Sequence, residues 1–364
     1  MAIAPMFRFA HQSNVTDDLA LLTIRRARFS FDTKLPYHLR TRFDMQIKNT
    51  GLTFRQVYGA WVPSRSFGLY VGLIKPPGGL EIDSGVFDQA FTDRSILSGM
   101  FTKEFHEVGA KAEGWVDHTR WFYAAGLTRN APSIEPVADE PEDKAKLPPN
   151  AEPEDILNAP SKWNLTGRFG IAPSKHFETS LSVRARLRPE FEEPDYGETF
   201  AEPYEDVLVT QRPYYGVSMH VLADAGVSVE HFRLLAGVGY RQDGQQLDVS
   251  FTTGAVKKLD GHLSIEAGQI TLGYTPFGHY GPARKNAPLL DGWEILGRIE
   301  GARIDPVDIA AVLYLGMYAG INWQVHPEVR LQLDYALEMF NDHAENGQAG
   351  AKRHVVNLWS VFRI

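Results

Sequence analysis

The chain of 364 residues contains no cysteine, which excludes disulfides, thiolate metal sites and a cysteine nucleophile. It also lacks a basic excess. With 37 Lys+Arg against 45 Asp+Glu, the net charge is −8, and a general nucleic-acid binder would carry the opposite sign. Long apolar runs are missing too. The most apolar stretch, Ile309 to Ile321, falls about five residues short of the roughly 18 that a membrane-crossing helix needs. Crossing by strands stays open, because alternating strands average to an unremarkable hydropathy. The opening Met1-Ala-Ile-Ala-Pro-Met-Phe-Arg-Phe9 has no basic stretch followed by an apolar core, so it does not read as a secretory signal. That leaves a mature form or a chain that is not exported.

What the chain has in quantity is turn chemistry and alternation: 22 prolines, 32 glycines and 12% aromatic residues favour a turn-rich β protein. In His38 to Lys48, Leu39, Thr41, Phe43, Met45 and Ile47 share one face, while Arg40, Arg42, Asp44, Gln46 and Lys48 share the other. Residues 177–188 repeat the pattern. Phe177, Leu181, Val183, Ala185 and Leu187 stand opposite Glu178, Ser180, Ser182, Arg184, Arg186 and Arg188. Similar runs occupy about 6–12, 19–32, 52–62, 66–75, 104–117, 119–129, 162–173, 212–225, 227–240, 261–274, 292–303, 309–325, 328–339 and 352–364. Period two is the signature of strands with one wet and one dry face.

Tight links such as Leu35-Pro36 and His326-Pro327 alternate with long segments, among them 76–104, 130–161 and 189–211. Short turns at one end and long loops at the other are the layout of an outer-membrane barrel. The expected fold is an all-β transmembrane antiparallel barrel of 16 strands, a single unit over 1–364. Residues 247–251 also alternate, and 275–291 makes a long link on the short side, so the count is open by two. All seven tryptophans lie within a few residues of an expected strand end, where interfacial aromatics belong.

Three segments together resemble the phosphate-selective porins O and P. They are Leu22-Thr-Ile-Arg-Arg-Ala-Arg-Phe29, then Tyr70-Val-Gly-Leu-Ile-Lys-Pro-Pro-Gly-Gly-Leu-Glu81 with Phe91-Thr-Asp-Arg-Ser95, and Gly320 to Tyr335. The similarity covers the first 130 and the last 75 residues, and the middle only as spaced strands. It implies a trimeric sixteen-stranded porin of the bacterial outer membrane, whose third loop, here 76–104, folds inward over a basic lumen. Lys75, Arg94 and Lys103 are the constriction candidates. The chain departs from the family at Phe362, which is followed by Arg363 and Ile364, and in its acidic balance.

That balance is unevenly spread. Residues 131–161 carry a net −6 and residues 189–206 a net −8, so removing this −14 from −8 leaves +6 elsewhere. Candidate pore-lining bases on the polar strand faces are Arg26, Arg28, Arg40, Arg42, Lys111, Arg168, Arg184, Arg186, Arg188, Arg298 and Arg330. A column such as 184-186-188 is costly unless water, anions or facing carboxylates relieve it. Two relations stay open: a lumen that attracts anions, or local neutralisation by Asp32, Asp44, Glu107, Glu113, Glu178, Glu266, Glu294 and Glu300.

Enzyme signatures fail on inspection. His106-Glu107 is followed by Ala110 where a second zinc ligand would stand. Gly237-Val-Gly239 opens no helix, and no spacing picks out a hydrolytic triad. The expected role is passive passage of small anionic or polar solutes, with no cofactor, no metal and no nucleic acid. Contacts with outer-membrane lipid and lipopolysaccharide and a homotrimer are expected. The alternative is a structural or partner-binding barrel closed by its loops, with 130–161 and 189–211 as long acidic outer loops that make the surface contacts.

Overall fold

The structure is a computed structural model. It describes residues 2–12, 19–48, 51–83, 90–91, 94–101, 106–116, 120–130, 163–188, 207–212, 216–251, 256–283, 289–305, 311–341 and 352–363. The chain forms β1 (Ala2–Gln12), β2 (Leu19–Lys34), β3 (Leu39–Lys48), β4 (Gly51–Trp61) and β5 (Gly68–Ile74). Two short helices follow, α1 (Leu80–Asp83) and α2 (Ile96–Phe101). Next come β6 (Glu107–Trp115), β7 (Trp121–Asn130), β8 (Trp163–Ser174), β9 (Phe177–Arg188), β10 (Val207–Arg212) and β11 (Gly216–Val229). The chain closes with β12 (Phe232–Phe251), β13 (Val256–Tyr274), β14 (His279–Tyr280), β15 (Leu289–Asp305), β16 (Val312–His326), β17 (Val329–Asn341) and β18 (Lys352–Arg363).

Every pairing is antiparallel, and the ladder returns on itself: β1 pairs with β2 on one side and with β18 on the other. Closure removes the free edges that an open sheet would expose. Among the described residues, eighteen strands resolve into sixteen staves. β10 pairs with the upper end of β12 in line with β11, and β14 is a two-residue ladder against the foot of β15. The alternating stretch 247–251 is therefore no extra stave. It is the end of β12, paired with β13 through Ser250↔Val256.

Alternation sets which side meets which solvent. On β8, Trp163, Leu165 and Phe169 are exposed, while Asn164, Thr166 and Arg168 are buried. On β9, Leu181, Val183 and Leu187 are exposed, with Ser182, Arg184 and Arg186 buried. The polar face looks into the barrel and the apolar face looks out, the reverse of a water-soluble sandwich. Such an outer face is stable only against lipid. No helix among the described residues is long and apolar enough to cross a membrane; the strands do the crossing.

The aromatic girdle is partial. Trp61, Trp121, Trp163 and Trp323 are exposed on the outer surface. Trp359 departs from the expectation, because it is 1% exposed on the inner face, and Trp115 packs against Phe122 instead. Two tight inner turns hold residues at positive φ, Tyr37 and His38 in one and Glu230 in the other. The two-residue hairpin Glu230–His231 needs that geometry to match strand twist.

Apolar packing inside the barrel is local. Leu97 of α2 joins Leu222, Leu263, Ile265, Ala267, Ala302 and Tyr314 from the wall. The described helix α2 of the segment 76–104 is therefore seated on the wall from β11 to β16 rather than left in water.

Candidate functional site

The segment after β5 turns inward early because β5 is short and carries Gly72 at φ +136°. A Cβ there would lie 2.3 Å from the Val57 carbonyl oxygen, so glycine permits the bend. The chain then crosses to the far wall and is held by side chains that the barrel aims at it. Leu80 N donates to Asp224 Oδ2 at 2.8 Å. At Gly79 a Cβ would come within 2.4 Å of the same oxygen and 2.6 Å of Leu222 Cδ2, so any larger residue would push these side chains aside and weaken the loop's seat on that wall. Glu81 accepts from Ser95 N at 3.0 Å and Ser98 Oγ at 2.9 Å, folding the two halves of the loop together. Ile96 N donates to Glu300 Oε2 at 3.1 Å.

The tip of the loop is fixed as well. The Ala90 carbonyl oxygen accepts from Asn322 Nδ2 at 2.8 Å and Gln332 Nε2 at 2.7 Å. Phe91, almost fully buried, sits edge-on to Tyr318 and under the Arg298 guanidinium at 4.8 Å. The described parts of the loop from Gly79 onward thus line β11–β17, while Pro77 lies against Gly126 of β7.

A second inward piece packs against the β8–β9 turn and the inner end of β11. In the long inner link after β13, Ala283 is fully buried, and its N–H donates to the Lys175 carbonyl at 2.9 Å. Ser228 Oγ donates to the Gly281 carbonyl at 3.1 Å. Gly226 faces both Leu80 of the loop and the Ala283 carbonyl, so the two inward pieces approach each other on that wall.

Opposite them is a cavity of about 530 Å³. Its bases are Arg42, Arg65, Lys75, Lys111 and Arg168 and its acids are Glu113 and Glu178. The lining carries five cations against two carboxylates, and Arg42 also has Asp32 and Asp44 beside it, so the basic excess is smaller than that count. Tyr58, Tyr70, Trp115 and Phe122 supply ring faces.

The expected pore-lining bases occupy three kinds of place. Lys111, Arg168 and Arg42 line the cavity, where Lys111 reaches Glu113 at 2.8 Å, Arg168 reaches Glu178 at 2.9 Å, and Arg42 stands 3.5 Å from Asp32. Others are held against the wall: Arg28 bonds to Asp44, Arg184 to Glu107, Arg298 to Glu300 at 3.1 Å, and Arg330 lies 3.7 Å from Glu294. Arg186 is buried beside Arg184 on the same inward face, and Arg40 is exposed near the inner turn. The side chains of Arg26 and Arg188 lie outside the described residues. Of the constriction candidates, Lys75 joins the cavity and Arg94 sits half-buried in the loop; Lys103 lies outside the described residues. Segments 131–162 and 189–206 do so as well.

Sequence reasoning missed Arg65, which stands in a turn rather than on an alternating face, and Arg233, which pairs with Glu294 at 2.9 Å. It also missed Glu81 and Asp224 as loop anchors. Arg233 alternates with apolar neighbours on β12 and was visible by periodicity; the anchors were not.

No family model and no curated protein matches this chain. Solved structures do, over nearly its whole length. The outer membrane channel DcaP of Acinetobacter baumannii superposes with a TM-score of 0.60 at 9% identity, covering 99% of this chain and 95% of that one. The anion-selective porin from Comamonas acidovorans gives 0.58 at 9%, covering 99% and 97%. The trimer form of OmpT, an outer membrane protein of Vibrio cholerae, gives 0.56 at 10%, covering 99% and 98%. The fold is that of the porins. At such identities the likeness concerns the backbone, and the side chains of the lumen have to be read on their own terms.

Proposed function

We propose that this protein is a porin of the bacterial outer membrane, a passive diffusion channel that favours small anionic solutes. One observation carries the reading: the described parts of the inward loop are pinned to β11–β17, and a net-positive cavity of about 530 Å³ lies against β3–β9. Inside a low-dielectric wall, the excess of basic over acidic side chains on this lining acts on a passing ion more strongly than in bulk water. The similarity of Tyr70–Glu81 to the phosphate-selective porins O and P agrees with an anionic cargo, as does the name of the Comamonas neighbour. The trimer form of the Vibrio neighbour makes a homotrimer the expected assembly. No covalent chemistry is required of the site.

Reconstitution in planar bilayers tests the proposal. A salt gradient of KCl should give stepwise conductance with a reversal potential on the anion side. A conducting but cation-selective channel would overturn the anion preference. Absence of conductance from a folded barrel would overturn the channel itself and favour a structural barrel closed by its loops.

A further inference from the structure

We infer that the cavity below the loop is a binding station for aromatic carboxylates, rather than a site for small bare anions. The inference rests on the porin reading only in placing the cavity on the permeation path. Three of its five cations are laid on rings: Lys111 Nζ lies 5.0 Å from the centre of Tyr70, the Arg168 guanidinium 5.0 Å from Phe122, and the Arg65 guanidinium 5.1 Å from Trp115. The rings are also in contact with one another, Trp115 with Phe122 at 5.2 Å and Tyr58 with Tyr70 at 5.5 Å. Two strips result. One runs Arg65, Trp115, Phe122, Arg168; the other runs Lys111, Tyr70, Tyr58.

The physical consequence concerns what such a lining rewards. A ring face is the negative side of the aromatic quadrupole, so it repels a small hydrated anion and offers it no hydrogen bond. Phosphate or chloride gains from the cations here but loses water against the rings. A solute with a flat apolar ring and one carboxylate gains twice. Its ring packs on Tyr70 or Trp115 by offset or edge contact beside the cation that covers that ring, and its carboxylate reaches Lys111 or Arg65 there. Glu113 and Glu178, which already hold Lys111 and Arg168, weaken the charge term and leave the ring term intact. The cavity volume of about 530 Å³ lies in the range of small-molecule sites and takes a single-ring acid with its water.

The experiment uses the full-length barrel in planar bilayers with KCl current as the readout. Benzoate, acetate and inorganic phosphate are added separately at equal ionic strength. Benzoate should reduce the current at a concentration roughly tenfold below that of acetate, the factor that one aromatic contact supplies. Replacing Tyr70→Leu and Trp115→Leu together should bring benzoate to the level of acetate. Should that variant fail to insert, the wild-type comparison decides by itself. A conducting channel in which benzoate behaves like acetate overturns the inference and leaves the porin reading standing; so does phosphate blocking more strongly than benzoate. If the barrel does not conduct, the porin reading fails, and calorimetry of benzoate with the detergent-solubilised protein decides the site. Saturable heat supports it and none overturns it.

Discussion

At the residue scale, the inner wall is a lattice of ion pairs rather than a ladder of free cations. Arg184 and Glu107 are both buried and bonded, and Thr128 also donates to that carboxylate. A pair of this kind contributes little against an apolar replacement, but losing one member strands the other. Glu107→Gln should therefore destabilise the barrel by about 3–5 kcal/mol, seen as a lower temperature for the heat-induced shift in electrophoretic mobility. Lys111 differs, since it is part-exposed in the cavity beside Glu113. Lys111→Gln should leave that temperature nearly unchanged and move the KCl reversal potential toward cations. A variant with altered melting and unaltered selectivity would assign Lys111 to the wall.

At the scale of elements, the loop is a strut whose fixings lie far away in the chain. Glu300, Asn322 and Gln332 lie more than 200 positions from the residues they hold. Deleting the stretch from Glu81 to Ser98 should raise single-channel conductance, because it removes the piece that fills the β11–β17 side. Unchanged conductance in a deletion that still inserts would place the limiting width elsewhere. The inner link supplies that alternative. Excising His279–Ala283 should enlarge the inner mouth and raise conductance by itself, with loss of the contacts to Lys175 and Ser228. If the two deletions act on separate constrictions in series, the double deletion exceeds either alone.

For the whole molecule, charge is partitioned. The acidic stretches 131–161 and 189–206 hold sixteen carboxylates against two lysines, while the remainder is positive. Like charges at that density repel one another, and hard divalent cations with oxygen ligands relieve the repulsion. Calcium should bind weakly and diffusely, through these segments, and bridge them to lipopolysaccharide phosphates. Calorimetry of the purified barrel with Ca²⁺ checks this: heat that is unchanged when the acids of 190–206 become Gln and Asn would exclude them. An apolar belt such as Leu165, Phe169, Leu181 and Val183 also means that the protein should need detergent to stay in solution.

The strand architecture was legible in the chain because period two is a one-dimensional signal: each strand carries its own wet and dry face. Leu39 to Ile47 and Leu181 to Leu187 announce their orientation without reference to any neighbour. The short turns and long links added direction and an even count. Even the two apparent exceptions resolved locally, 247–251 as the end of β12 and 275–291 as a link with a two-residue ladder inside it. Which arginines are free to meet a solute was not legible. Arg184 and Lys111 look alike in sequence, but their carboxylates come from different distances, Glu107 from three strands away around the wall and Glu113 from the same strand. Nor does any pattern pair Gly79 with Asp224 or Ala90 with Gln332. Those contacts exist only once the sheet has closed. Periodicity is a property of neighbours in the chain, and it determined the staves; the width and lining of the passage depend on residues brought together across the lumen, and only the tertiary structure decided them.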